Sequence, residues 1–133
     1  MDDEVSRRSA YGRHVYLDYV NFFPGGDETA SWMLEILRSS VKECGVEEVH
    51  SHSEIFDGEK SPAGFASIVL IDESHVTAHC YSDKGWLALD AFTCGKHDPN
   101  QLANIIHEKL IGKCEELKLM KRETVDRFVH DEL

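Results

Sequence analysis

Positive charge is scarce in this chain: 14 lysines and arginines stand against 25 aspartates and glutamates, a formal net charge of −11. Such a balance repels phosphate backbones and anionic bilayers, so neither nucleic acid nor a membrane is expected as a partner. No apolar run reaches membrane-spanning length, and no internal repeat is present. The N-terminus lacks the apolar stretch of a signal peptide, and Cys44, Cys80, Cys94 and Cys114 have no CxxC spacing. Reduced thiols in a cytoplasmic protein are the expectation. His130-Asp131-Glu132-Leu133 spells an endoplasmic-reticulum retention address, but without an entry signal it is taken as coincidence. Only three prolines interrupt 133 residues, with 41% hydrophobic content, enough for one small domain with a core and little surplus.

Residues 1–10 are charged and aperiodic and read as a mobile arm, 11–123 as the domain, and 124–133 as a C-terminal tail. His14 to Val20 alternates as a first strand. Asp27 is the expected N-cap of a helix with Met33, Leu34, Leu37 and Val41 on its apolar face, stopped by Gly45. Trp32 on that helix reads as packing or a dimer contact, and Cys44 and Cys114, near helix ends, as half-buried small residues. Val46 to Phe56 reads as a more polar strand and Ala66 to Ile71 as a strand buried on both faces. His75 to Tyr81 and Trp86 to Thr93 form a hairpin around Ser82–Gly85, and Asp98-Pro99 opens a second helix carrying Leu102, Ile105, Ile106 and Leu110. Leu117 to Lys121 is a last strand. The sum is an α+β two-layer sandwich, a mainly antiparallel sheet with two helices on one face.

The hairpin turns spacing into chemistry. If its turn is centred on Asp83 and Lys84, His79 pairs with Ala88, His75 with Phe92 and Glu73 with Cys94. Val76, Ala78, Cys80, Leu87, Leu89 and Ala91 then share a core face, while His75, Thr77, His79, Asp90 and Cys94 share the other. Ser74 starts on the helix-covered face. Ser74 has an acyl neighbour to attack in the Glu73 carbonyl, with imidazoles and a returning thiol close in sequence or register. A serine acting on its own backbone would split the chain and leave a terminal carbonyl, an electron sink for amine substrates. His50 and His52 share a strand face but lack a third ligand at useful spacing, so no metal is expected.

Gly12-Arg13-His14, Glu73-Ser74-His75, His79 and Phe92-Thr93-Cys94-Gly95, in that order, resemble the small prokaryotic S-adenosylmethionine decarboxylases that carry a covalent pyruvoyl group. The resemblance covers residues 11 to 123. It implies that Ser74 undergoes an N-to-O acyl shift onto Glu73 and becomes the pyruvoyl group, which forms a Schiff base with a small-molecule substrate. It implies further that His79 assists processing and Cys94 protonates the decarboxylated carbon. Asp83 falls where a glutamate usually holds the ribose hydroxyls, Phe56 is the candidate for stacking on adenine, and a homodimer is implied. The product would be the aminopropyl donor for spermidine synthesis.

Two departures stand out. Ala66 occupies the position of a serine or threonine thought to help processing, and Ser67 beside it points to the opposite face of a regular strand. The Cys80–Lys84 run replaces a more aromatic, proline-containing turn. Two alternatives follow: a pyruvoyl-dependent ornithine or arginine decarboxylase, and an uncleaved relative that serves as a binding or regulatory subunit.

Overall fold

The computed structural model describes residues 8–132; residues 1–7 of the expected arm and Leu133 of the terminal tetrapeptide lie outside it. In chain order the elements are β1 (Arg8–Val20), α1 (Thr29–Glu43), β2 (Glu48–Phe56), β3 (Gly64–Ile71), β4 (Ser74–Tyr81), β5 (Trp86–Cys94), α2 (Pro99–Lys113) and β6 (Lys118–Asp131). The strands form one six-stranded sheet in the order β2-β3-β4-β5-β1-β6, with every neighbouring pair antiparallel. The α+β sandwich expected from the sequence is the fold observed.

Period-two alternation divides the sheet into a covered and an open face. Val15, Leu17 and Tyr19 of β1, Val69 and Ile71 of β3, Val76 and Ala78 of β4, and Leu87, Leu89 and Ala91 of β5 are buried in the core. Met33, Leu37 and Val41 of α1 and Leu102, Ile106 and Leu110 of α2 are buried with them. α2 begins as expected, with Pro99 in its first turn and the Asp98 carboxylate accepting from the Asn100 amide at 2.9 Å. α1 differs: its cap position is Glu28, not Asp27, and no side chain caps it.

β3 corrects a second expectation. Its apolar run is not buried twice, because both helices lie on one side; Ile68 and Leu70 on the other are 39% and 44% exposed. β1 and β6 also run past the expected limits. Arg8, Ser9 and Ala10 pair with Asp131, His130 and Val129, so the segment read as a tail is strand as far as Asp131. Each supplies the other's backbone hydrogen bonds, and a charged, exposed edge strand carries no apolar alternation to reveal it in sequence. Arg8 and Asp131 add an ion pair at 3.3 Å. No helix among the described residues is long and apolar enough to cross a membrane.

On the core side of β5, Leu89 is fully buried. Leu89→Ala should destabilise the protein by about 2–5 kcal/mol, through lost transfer energy plus an unfilled cavity. Urea unfolding followed by circular dichroism measures it, and a loss below 1 kcal/mol would mean that the layers collapse to fill the space.

Candidate active site

β3 and β4 are joined by two residues, Asp72 and Glu73, with Ile71 pairing directly to Ser74. Two-residue hairpin loops place glycine or asparagine where φ is positive, because a Cβ there crowds the following carbonyl. Here that conformation falls on Glu73, at φ 67. The left-handed form costs a residue with a side chain about 1 kcal/mol. The strained residue supplies the acyl half of the Glu73–Ser74 bond.

β5 brings Cys94 to this turn. The register is the expected one, His75↔Phe92 and His79↔Ala88, and it leaves Cys94 beside Glu73. The Cys94 thiol donates to the Glu73 carbonyl oxygen at 3.7 Å. Both Cys94 and Ser74 are buried, at 7% and 8% exposure. The following glycine is fixed as well, since the Gly95 amide donates to the Tyr11 carbonyl at 2.8 Å. A donor on that carbonyl oxygen withdraws charge in the sense that favours nucleophilic attack at its carbon. Beside the bond lies a hollow of about 320 Å³ whose lining includes Leu70, Glu73, Ser74, His75 and Phe92.

Towards the middle of the open face, His14 Nε2 and Asp90 Oδ1 are 2.9 Å apart, and Thr77 Oγ1 donates to Asp90 Oδ2 at 3.5 Å. His75 leans on Phe92, with ring centroids 5.4 Å apart. Burial, with His14 and Arg127 adding to it, pushes the His75 imidazole below its ordinary pKa against the pull of Asp90. His75 therefore favours its neutral form at neutral pH.

The remaining predicted residues lie elsewhere. His79 is five residues along β4 from Ser74, a separation of about 17 Å at strand rise. Phe56 and His79 line one hollow of about 230 Å³. Asp83 is exposed in the turn that follows Tyr81. On the other flank of His79 an apolar hollow of about 320 Å³ is bounded by Asp18, Val20, Tyr81, Trp86, Ala88 and Met120. The sequence reading did not name that second hollow. The predicted site residues thus form two groups at opposite ends of the sheet: Glu73, Ser74 and Cys94 at one, with Ser74 in phase with the buried Val76 and Ala78 as the sequence suggests, and His79, Phe56 and Asp83 at the other.

The departure at Ala66 changes meaning on this map. Ala66 pairs with His79, so a hydroxyl there would sit about 17 Å from the Glu73 carbonyl of its own chain. Ser67 points into the core layer, where its hydroxyl lies 2.6 Å from that of Ser53. Neither can serve as a donor to Glu73 within one protomer. Of the two strand histidines, His52 is 2.9 Å from the Glu54 carboxylate. Among the described residues no group of three or more His, Cys, Asp or Glu side chains is arranged to hold a metal.

If strain at Glu73 assists reaction of the bond behind it, Glu73→Gly should slow its breakage, because glycine adopts the same φ without the steric cost. Releasing about 1 kcal/mol corresponds to about fivefold in rate. A time course of intact mass for the natural chain and the variant gives the ratio; equal rates would show that the turn's strain is not used.

A family model described as S-adenosylmethionine decarboxylase matches residues 13–123. The S-adenosylmethionine decarboxylase proenzyme of Pyrococcus horikoshii is 30% identical over 123 residues, covering 90% of this chain and 86% of that one. The corresponding proenzyme of Caldicellulosiruptor saccharolyticus is 32% identical over 102 residues, covering 76% and 79%. In three dimensions the adenosylmethionine decarboxylase of Aquifex aeolicus shares the fold, with a TM-score of 0.75 over 94% of this chain and 97% of that one at 20% sequence identity. The matched span runs from within β1 into β6 and contains every residue of both groups, and the chain belongs to the S-adenosylmethionine decarboxylase family.

Proposed function

We propose that the chain is a cytoplasmic proenzyme that cuts itself between Glu73 and Ser74 and then decarboxylates S-adenosylmethionine, giving the aminopropyl donor for spermidine synthesis. The observation that carries this reading is the Cys94 thiol donating to the carbonyl of a strained residue immediately before Ser74. Ser74 Oγ adds to the Glu73 carbonyl carbon, and the acyl group passes from nitrogen to oxygen. Removal of the Ser74 α-hydrogen expels the Glu73 carboxylate, and hydrolysis of the remaining enamine releases ammonia and leaves a pyruvoyl terminus.

The residues around Ser74 suit such a group, since the adjoining hollow is mostly apolar and carries one imidazole, His75, that burial keeps neutral, while the Cys94 thiol reaches the Glu73 carbonyl beside it. The pyruvoyl carbonyl supplies an electrophile that holds the substrate amine and accepts the electrons of the departing carboxylate. Cys94, already facing that position, returns a proton to the substrate carbon. Asp83 accepts from the ribose hydroxyls and Phe56 stacks on the adenine ring.

A single protomer keeps His79 about 17 Å from Ser74, with Phe56 and Asp83 at the same far end, which favours a homodimer as the working unit. Ile68, Leu70, Tyr81, Trp86 and Met120 leave apolar surface on the open face, all between 39% and 57% exposed. Two such faces packed about a two-fold axis would lay the His79 end of one copy over the Ser74 end of the other. Ala66 would travel with His79 to the partner's cleavage bond.

Intact-mass analysis of purified protein should show fragments 1–73 and 74–133, the second blocked at its terminus, and carbon dioxide release from S-adenosylmethionine. Full-length chain after long incubation would favour a non-catalytic relative. Release only from ornithine or arginine would favour the other pyruvoyl decarboxylases.

Cys94→Ala should lower decarboxylation at least 100-fold and slow cleavage about tenfold, the second effect reflecting the lost donor on the Glu73 carbonyl. Cleavage at the natural rate would confine Cys94 to turnover. Cys94→Ala and His79→Ala chains, each inactive alone, should regain about a quarter of natural activity when coexpressed, because half the dimers are mixed and one of their two sites is intact. No regain would place both residues in one protomer's site.

A further inference from the structure

Arg127 lies in the segment that sequence alone gives to a tail, yet β6 carries it to the Ser74 end of the open face. β6 pairs Arg127 with Gly12 of β1, and β1 pairs Gly12 with Cys94 of β5. One row across the sheet therefore reads Glu73, Cys94, Gly12, Arg127. Gly12 leaves the row open between the thiol and the guanidinium. A Cβ there would stand 3.1 Å from Phe92 Cε1 and 3.2 Å from Cys94 Sγ, tighter than ordinary van der Waals contact. Its φ is not positive, so the need for glycine is one of space.

Across that gap the Arg127 guanidinium carbon lies 5.8 Å from the centroid of the Phe92 ring. Phe92 also lines the hollow beside Ser74, so the cation overhangs the wall of that hollow. Among the described residues Arg127 enters no ion pair, whereas Arg8, Arg13 and Arg38 each face a carboxylate. Its charge is felt at His75, whose imidazole it helps to keep neutral. Arg127 is then a permanent cation at this end of the face, resting on an aromatic ring and open to solvent.

An α-amino acid substrate held by its amine at residue 74 carries its carboxylate two bonds from the held nitrogen. We propose that Arg127 receives the α-carboxylate of the substrate, with Gly12 providing the gap through which the two meet and Phe92 holding the guanidinium in place. This rests on the decarboxylase reading above. A guanidinium matches a carboxylate with two parallel hydrogen bonds. Because the carboxylate leaves in the reaction, the contact acts on substrate and not on product. The pair would bind substrate and set the orientation of the bond to be broken; it stabilises the ground state as much as the transition state, so its loss raises KM more than it lowers kcat.

The test compares the cleaved natural enzyme with Arg127→Gln and Arg127→Lys. Measured are the fraction cleaved, kcat and KM for carbon dioxide release from S-adenosylmethionine, and inhibition by decarboxylated S-adenosylmethionine, which has the same adenosyl and amine groups but no carboxylate. Arg127→Gln should cleave normally and raise KM on the order of 10- to 100-fold, the range of a hydrogen bond to a charged group, while inhibition by the amine stays unchanged. Arg127→Lys should recover part of the loss, by keeping the charge without the two-pronged geometry. Equal weakening of substrate and amine would mean that Arg127 supports the site only structurally, and an unchanged KM would remove it from recognition; either overturns the assignment alone. A natural chain that never cleaves or never releases carbon dioxide from S-adenosylmethionine overturns the decarboxylase reading and this assignment with it.

Discussion

The antiparallel register of β4 against β5 is the constraint on which the site depends. The turn over Ser82–Gly85 sets it: the Lys84 and Gly85 amides both donate to the Tyr81 carbonyl. From there each pair is fixed, and at the far end of β5 the thiol of Cys94 meets the Glu73 carbonyl. A slip of one residue would turn Cys94 into the helix layer and bring Thr93 out in its place. Leu87, Leu89 and Ala91 oppose that slip, since it would also turn them away from the helices. Core packing thus holds the Cys94 thiol against the Glu73 carbonyl. The next two registers, β5 to β1 and β1 to β6, extend the same row to Gly12 and Arg127.

Covering the sheet on one side has a second consequence. The helices settle the burial of every alternate residue, and the rest are left to form a broad surface on which residues of one strand are spaced by its rise. Ser74 and His79 belong to the same strand and cannot be drawn together by folding of that strand. Proteins that use both must bend the strand or bring a second surface. β4 is regular from Ser74 to Tyr81, with an unbroken ladder to both neighbours. The exposed apolar side chains of β3, β4 and β5 fit the second solution.

Much of this was legible in the sequence because alternation and capping have local causes. The β4–β5 register, the two faces and the Asp98 cap all follow from residues within about twenty positions of one another. What escaped had nonlocal causes. The paired extensions of β1 and β6 stabilise each other across more than a hundred residues, and neither Arg8–Ala10 nor Val125–Asp131 shows a buried face that would mark it as strand. The placement of Arg127 opposite Gly12 escaped for the same reason. β3 misled in the opposite direction: Ala66 to Ile71 is apolar throughout, and the sequence does not tell burial inside a protomer from apolar surface left on its outside. The placement of Cys94 beside Glu73 was readable, but the distance from Ser74 to His79 required knowing that one unbent strand carries both.

The topology also answers what a cut at Glu73–Ser74 would do to the fold. It would divide β1, α1, β2 and β3 from β4, β5, α2 and β6. In the sheet, however, β1 lies between β5 and β6, so the first piece is clasped on two sides by strands of the second. β3 and β4 keep their own ladder from Gly64↔Tyr81 to Ile71↔Ser74. Separation would break three strand interfaces and expose the cores of both helices, whereas the cut itself removes one link in a two-residue turn. At this turn a break in the chain would leave every strand ladder in place, and the left-handed Glu73 would gain freedom. A sheet interleaved in this way can lose covalent continuity at the β3–β4 turn and keep the Cys94–Gly12–Arg127 row in register, because that row lies wholly within the strands that hold the two pieces together.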